Sequence, residues 1–228
     1  MTVSEELHTL TLSISHDLRA PLRAVDGFAL ELQLDEGSAL SERGLRYVDR
    51  IRAASARMSA TIDALFKLVH AADALFTAEE VDLSAIARAA AHDLAEADPE
   101  RAIDFVIAEG LVASADPDLL RVVLDNLLGN AVKFTVRSAA PRIEIGAEGS
   151  VFFVRDNGVG FDPRFAERLF LPFQRLHPAG EFEGSGVGLT IVRRIVERHG
   201  GRVWATTGAV GATFYFTLAE DEHATPVR

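Results

Sequence analysis

The sequence predicts a helical hairpin followed by an α/β sandwich, and three observations carry that prediction. Through the first seventy residues apolar side chains recur at helical spacing, with strong breakers only near the middle. Beyond about residue 80, short β-rich runs alternate with amphipathic helical stretches. Glycine-rich turns then punctuate the C-terminal half at strand ends and ahead of a helix.

In the first helical stretch Leu7, Leu10, Ile14, Leu18, Leu22, Val25, Ala29 and Leu32 form a stripe whose middle steps are all four residues, a stutter in a heptad. The polar turn Asp35-Glu36-Gly37-Ser38 reverses the chain. In the second stretch Val48, Ile51, Met58, Ile62, Leu65 and Val69 alternate at three-four spacing, with Ser55 at the remaining stripe position. Two helices cannot enclose a heptad core. The economical arrangement for residues 1–72 is therefore an antiparallel hairpin that dimerises into a four-helix bundle. The alternative is packing against the second domain, which the near full-length stripes disfavour.

The second domain is expected over residues 80–220. Helices are predicted near 82–97, 117–134 and 187–199, and strands near 103–108, 112–115, 142–147, 151–155, 203–206 and 213–218. Between Gly158 and Gly186 lies a segment of little periodicity, and a loop that long inside a compact domain reads as a lid over a binding site.

Composition narrows the function classes. The chain has 48% hydrophobic and 25% charged residues, no window with the length of apolar sequence that a membrane span needs, and an acidic start unlike a secretory signal. The expectation is a cytoplasmic protein with no membrane insertion by this segment. Zero cysteines exclude disulfides and thiolate metal sites, and a formal charge of −11 argues against nucleic acid as a partner. Any site for a nucleoside triphosphate must be locally basic.

Four segments carry chemistry. Ser15-His16-Asp17-Leu18-Arg19-Ala20-Pro21-Leu22 lies in the first helix, with His16 about 200° around the helix from both Ile14 and Leu18, hence on the solvent side. A neutral imidazole there is nucleophilic near pH 7, and Asp17 is placed to take a proton or orient the ring. Pro21 should kink the helix just after this pair. Asn126, Asn130 and Lys133 fall at i, i+4 and i+7 on one helix face, where amide oxygens suit Mg²⁺ and the ammonium suits phosphate. Asp156-Asn157-Gly158-Val159-Gly160 ends an apolar strand, and its carboxylate can accept from an amino group such as that of adenine. Gly184-Ser185-Gly186-Val187-Gly188-Leu189 opens a helix, whose free N–H groups can hold phosphate. Each segment alone has a bland reading as a surface histidine, a polar helix face or a turn. The bland reading is kept for His8 and His92, and for His199 as a helix C-cap.

Together and in order these segments resemble the boxes of the histidine-kinase family, and of its phytochrome-type transmitters in particular: Ser15–Leu22, Asn126–Thr135, Asp156–Gly160, Phe170–Phe173 and Gly184–Leu189. The resemblance implies a helical dimerisation domain and an ATP-binding fold of the Bergerat type shared with gyrase, the Hsp90 chaperone and MutL. It further implies autophosphorylation of His16 and transfer to a receiver-domain aspartate of a response regulator. By motif position it implies Asn130 as Mg²⁺ ligand with Asn126 in support, Lys133 on phosphate and Asp156 on adenine. Gly158, Gly160, Gly184, Gly186, Gly188 and Leu189 would shape the pocket and lid, Phe170 and Phe173 would anchor the lid, and Arg175 would reach the γ-phosphate. The related ATPases carry a carboxylate where this chain has Asn126, which favours transfer over hydrolysis. Members that also dephosphorylate their partner commonly carry Thr or Asn four residues after the histidine, where this chain has Ala20. Two rival readings are a non-catalytic dimeric nucleotide-binding adaptor and an ATPase clamp. Only fifteen residues precede His16, and no sensory domain is legible among them.

Overall fold

The computed structural model describes residues 20–35, 39–73, 77–172, 174, 182 and 186–218, and in the second helix the side chains up to 62 except 57, 60 and 61. The chain divides into two compact units, Met1–Asp73 and Ala74–Arg228.

In the first unit, helix α1 covers residues 20–35 and helix α2 covers Glu42–Asp73. Ser41 starts α2: its hydroxyl accepts the Gly44 N–H at 3.2 Å and its carbonyl accepts from Leu45 at 3.0 Å. The heptad stripe of α2, read above as one seam, divides in two. Val48, Ser55 and Ile62 are 3%, 2% and 9% exposed, whereas Ile51 and Met58 between them are 46% and 49% exposed. On α1 Ala29 is buried while Val25 and Leu32 are exposed. From Val48 to Ile62 one hairpin thus covers every seventh residue of α2 and leaves Ile51 and Met58 between them bare. The buried Ser55 hydroxyl donates to the Leu22 carbonyl at 2.9 Å, so a polar residue sits in the stripe without an unmet donor. Arg52 ties the helices further, donating to Asp26 at 3.3 Å and to Gln33 at 3.2 Å.

The second unit begins with strand β1 (Glu79–Asp82), helix α3 (Leu83–Ala97), strands β2 (Asp104–Ile107) and β3 (Val112–Ala115), and helix α4 (Pro117–Phe134). Strands β4 (Arg142–Glu148) and β5 (Val151–Asp156), a 3₁₀ helix (Pro163–Phe170), helix α5 (Gly188–Arg198) and strands β6 (Val203–Thr207) and β7 (Ala212–Phe216) follow. β1 pairs antiparallel with β3, and a five-stranded sheet runs in the order β2-β4-β5-β7-β6, with only β2 and β4 parallel. Register places Ile145, Val154, Phe214 and Ala205 side by side in one row. With Leu120, Leu124, Leu127 and Leu128 of α4 and Ile191 and Ile195 of α5, these form the buried core. The helices start where the chemistry requires. Asp82 accepts from Ala85 N–H at 2.9 Å and Asp116 from Leu119 N–H at 3.1 Å, with Pro117 filling the first turn of α4.

Two elements differ from the sequence reading. Strand β1 occupies the run Glu79-Glu80-Val81-Asp82, where only Val81 is buried, so α3 starts at Leu83 and Asp82 is its cap. Three acidic residues in four give no strand signal, and the run is extended because β3 offers it a partner. The segment after Gly158, read as lacking periodicity, contains the 3₁₀ helix, capped by Asp162 with Pro163 in its first turn. Its three-residue period matches neither of the patterns sought.

Candidate functional site

Helix α4 is buried on its apolar side, and Asn126, Asn130 and Lys133 emerge half-buried on its polar side. Asn126 donates its amide N–H to the Val122 carbonyl at 2.8 Å. Its Oδ1 faces α5 so closely that a Cβ built on Gly188 would lie 2.5 Å from it. Gly188 thus lets the start of α5 meet this amide as it stands, whereas a Cβ would require the Asn126 side chain to shift. The Lys133 ammonium donates to Asn130 Oδ1 at 2.9 Å and stands 4.3 Å from the centre of the Phe134 ring.

Asp156 closes β5. It shares the side of the strand occupied by Phe152 and Val154, pairs with Ile143 across the ladder, and is buried. A carboxylate on the core face of a sheet loses water, so burial raises its pKa above 3.8, opposed by the N–H groups of Gly158 and Ala212. The Gly158 bond is 2.8 Å.

The glycine loop is joined to its surroundings by backbone contacts. Val159 donates to the Phe134 carbonyl at 3.2 Å, and a Cβ on Gly158 would overlap that same oxygen. Gly160 has φ +63°, with Thr207 Oγ1 2.7 Å from where its Cβ would be. The loop is thereby bound to the C-terminal end of α4 on one side and to the β6–β7 turn on the other. Gly186 has φ +74°, and α5 then begins at Gly188 with no side-chain cap hydrogen bond from Val187 to the N–H groups of its first turn. Leu189 sits half-buried in that turn, and Phe170 is buried edge-on to Phe214 at 6.5 Å.

The structure thus brings together Asn126, Asn130, Lys133, Asp156, Gly158, Gly160, Gly186, Gly188 and Leu189 around one margin of the sheet. His16, Asp17, Phe173, Arg175 and Gly184 lie outside the described residues. Two residues of this neighbourhood escaped the sequence reading. Gly211 donates to the Gly158 carbonyl at 3.0 Å and has φ +73°, and its only sequence signal was a glycine-bearing turn. Phe182 is buried edge-on to Phe134 at 5.0 Å, although in sequence it is a lone aromatic between two glutamates. Among the described residues no cluster of three or more His, Asp or Glu converges. A metal here would rest on amide oxygen, a donor that fits Mg²⁺, which keeps much of its own water. A buried acceptor, an ammonium and a helix N-terminus suit a ligand with an amino-bearing base and a polyphosphate.

Comparison with known proteins agrees. Residues 115–222 match the family described as histidine kinase-, DNA gyrase B- and HSP90-like ATPase, and residues 6–71 match the His Kinase A (phospho-acceptor) domain. The phytochrome-like protein Cph1 of Synechocystis sp. is 31% identical over 90% of this chain and 28% of its own length. Cyanobacterial phytochrome A of Nostoc sp. is 35% identical over 93% and 28%. The methanogenesis regulatory histidine kinase FilI of Methanothrix harundinacea is 36% identical over 93% and 24%. The chain thus spans under a third of the length of these relatives. Among solved structures, full-length ShkA in complex with AMPPNP matches with TM-score 0.63 and 26% identity, covering 91% of this chain and 45% of that one. The histidine kinase ThkA in complex with its response regulator TrrA shares the fold, with TM-score 0.61, 23% identity and coverage of 91% and 60%. A match to the phospho-acceptor domain followed by this ATPase-type unit, with phytochromes and a regulatory histidine kinase among the relatives, makes the chain a member of the histidine-kinase family in its transmitter part.

Proposed function

We propose that the chain is the transmitter of a two-component sensor histidine kinase, which phosphorylates its own His16 from ATP and passes the phosphoryl group to a response-regulator aspartate. The observation that carries this reading is the meeting of the α4 polar face, Asp156 and the α5 N-terminus, enforced by the close approaches at Gly158 and Gly188. In this arrangement Asp156 accepts from the adenine amino group. The N–H groups at Gly186, Gly188 and Leu189 take the phosphates, with Gly184, Phe173 and Arg175 completing the lid by motif position. Lys133 leaves Asn130 Oδ1 for phosphate, which frees that oxygen for Mg²⁺, with Asn126 in support. The ion would offset phosphate charge. The His16 ring nitrogen attacks the γ-phosphorus in line, the bond to the β–γ bridging oxygen breaks, ADP departs, and Asp17 orients the ring or takes its proton. Asn126 offers no carboxylate to activate water, which supports transfer over hydrolysis.

The bare alternate positions support a homodimer. Val25, Leu32, Ile51 and Met58 are exposed on one hairpin, and a second hairpin completes a four-helix core. No helix among the described residues is long and apolar enough to cross a membrane. Consumption of ATP in the proposed reaction supports a cytoplasmic location for this segment.

The test is incubation with γ-³²P-ATP and Mg²⁺. The native chain should acquire acid-labile, alkali-stable label, and His16→Gln should acquire none. Nucleotide binding without label would favour the adaptor, and phosphate release without phosphoprotein would favour the ATPase clamp. A second expectation concerns Ala20, which is exposed at the start of the described part of α1, lies four residues after His16 in the sequence and cannot position water. Ala20→Thr should gain phosphatase activity toward a phosphorylated receiver domain, whereas strong phosphatase activity in the native chain would refute this role for the position.

A further inference from the structure

Helices α4 and α5 lie antiparallel, and two contacts at opposite ends set their register. At the nucleotide end Gly188 meets Asn126. At the other end the His199 imidazole accepts the Asp116 backbone N–H on Nε2 at 3.1 Å, and its Nδ1 lies 2.8 Å from the Ile195 carbonyl. An amide N–H must donate, so Nε2 is the acceptor and Nδ1 carries the proton that goes to Ile195: the contacts select one neutral tautomer. His199, Asp116 and Ile195 are all buried. The separation from Asp116 to Asn126 along α4 is about 15 Å and that from Gly188 to His199 along α5 about 16.5 Å at 1.5 Å per residue, so the two contacts are matched ends of one helix pair.

The end of α5 is held on three sides. Gly200, at φ +75°, donates to Glu197 and Gly201 to Val196, both at 3.0 Å, which is a Schellman stop. Gly201 lies against the Thr217 carbonyl so tightly that a Cβ would overlap it. Asp116 in turn caps α4 through Leu119 N–H, and its other carboxylate oxygen accepts the Thr77 N–H at 3.3 Å, just after the chain enters this unit. His199 is therefore the side chain through which the end of α5 is fixed to the N-cap of α4.

We propose that His199 is a positioning residue for the nucleotide site. By fixing the axial register of α5 on α4 it sets where Gly186 and Gly188 stand relative to Asn126 and Asn130. This goes beyond helix capping, which the Ile195 contact and the Schellman turn accomplish without Asp116. The proposal rests on the ATP-binding reading above.

The experiment measures ATP affinity in the presence of Mg²⁺ by calorimetry on the full chain, at a temperature where circular dichroism shows every variant folded. Four proteins are compared: native, His199→Leu, His199→Gln and Ser84→Ala. Ser84→Ala is the stability control, because it removes a buried hydroxyl in the first turn of α3 that donates to Ala108 and accepts from Leu111, neither of them a residue of the candidate site. His199→Leu should weaken ATP binding about tenfold while Ser84→Ala leaves it within twofold. His199→Gln should recover most of the affinity, since its Oε1 is as many bonds from Cα as Nε2 and can accept the Asp116 N–H. If His199→Leu does not fold, the non-accepting His199→Met takes its place: a fall of about tenfold in His199→Met with near-native affinity in His199→Gln upholds the role, and equal affinities in the two overturn it. Native affinity in His199→Leu, or an equal fall in Ser84→Ala, also overturns it. A native chain that binds no ATP refutes the functional reading itself, a different result from any of these.

Discussion

Gly211→Ala should destabilise the second unit by about 3 kcal/mol or more and abolish nucleotide binding with it. Two penalties combine. The residue has φ +73°, a left-handed conformation costing about 1–2 kcal/mol for a residue with a Cβ. The added carbon would also overlap the Asp156 carbonyl oxygen and come 2.9 Å from Asn157 Cα, both backbone atoms that no side-chain rotation can clear. Relief requires the β6–β7 turn to withdraw from the glycine loop. That breaks the Gly211 N–H bond to Gly158 and the Thr207 hydroxyl bond to the Gly211 carbonyl, at 3.0 and 2.9 Å. Gly208→Ala in the same turn is the control, because a Cβ there meets nothing nearer than Val210 at 3.7 Å. Urea denaturation of the pair should separate them by more than 2 kcal/mol, in the range where stability differences are well resolved. Equal midpoints would mean that the turn and the loop are not closely joined in solution.

Asp156→Asn should weaken ATP binding by ten- to a hundredfold, the worth of a charged acceptor's hydrogen bond at about 1.5–3 kcal/mol, while leaving the unit folded. The structure adds a dependence on pH. Burial raises the Asp156 pKa in the folded unit, so between 3.8 and that raised value the folded state holds a proton that the unfolded state has released. This group's contribution to stability is complete below pH 3.8 and is lost as pH rises through the folded pKa. Native protein should therefore lose this increment on going from acidic to neutral pH, and Asp156→Asn should lack that step in the difference curve. An identical pH profile in the two proteins would show that the carboxylate is solvated. The function tolerates the cost because an ionised acceptor in a dry place binds an amino group more strongly than a solvated one.

These two residues differ in how far the sequence reveals them. Asp156 was legible: it follows Val151-Phe152-Phe153-Val154 and precedes Gly158-Val159-Gly160, and the alternation of the strand puts it on the core face. Gly211 was not, since nothing local distinguishes it from Gly208. The helices show the same contrast. The heptad of α2 could be read as a stripe, but that Val48, Ser55 and Ile62 are covered while Ile51 and Met58 stay bare follows from where α1 lies. The site residues on α4 and α5 were legible one helix at a time, whereas their register depends on Asp116 and His199, far apart in the chain. Strand β1 has no local signal, being three acidic residues around one valine, and exists through its pairing with β3.

The sequence by itself determined the apolar faces of the longer helices and of the apolar strands, and which segments carry amide, ammonium, carboxylate and glycine chemistry. These follow from the 3.6- and 2-residue periods and from residue types, which are properties of neighbours along the chain. Only the tertiary structure decided that Gly158 and Gly211 close on Phe134 and Asp156, that Gly188 meets Asn126, and that His199 joins α5 to α4. Each of those contacts joins residues distant in sequence and has a backbone group on at least one side, the Gly158 and Gly211 contacts on both, so side-chain identity along the chain does not announce them.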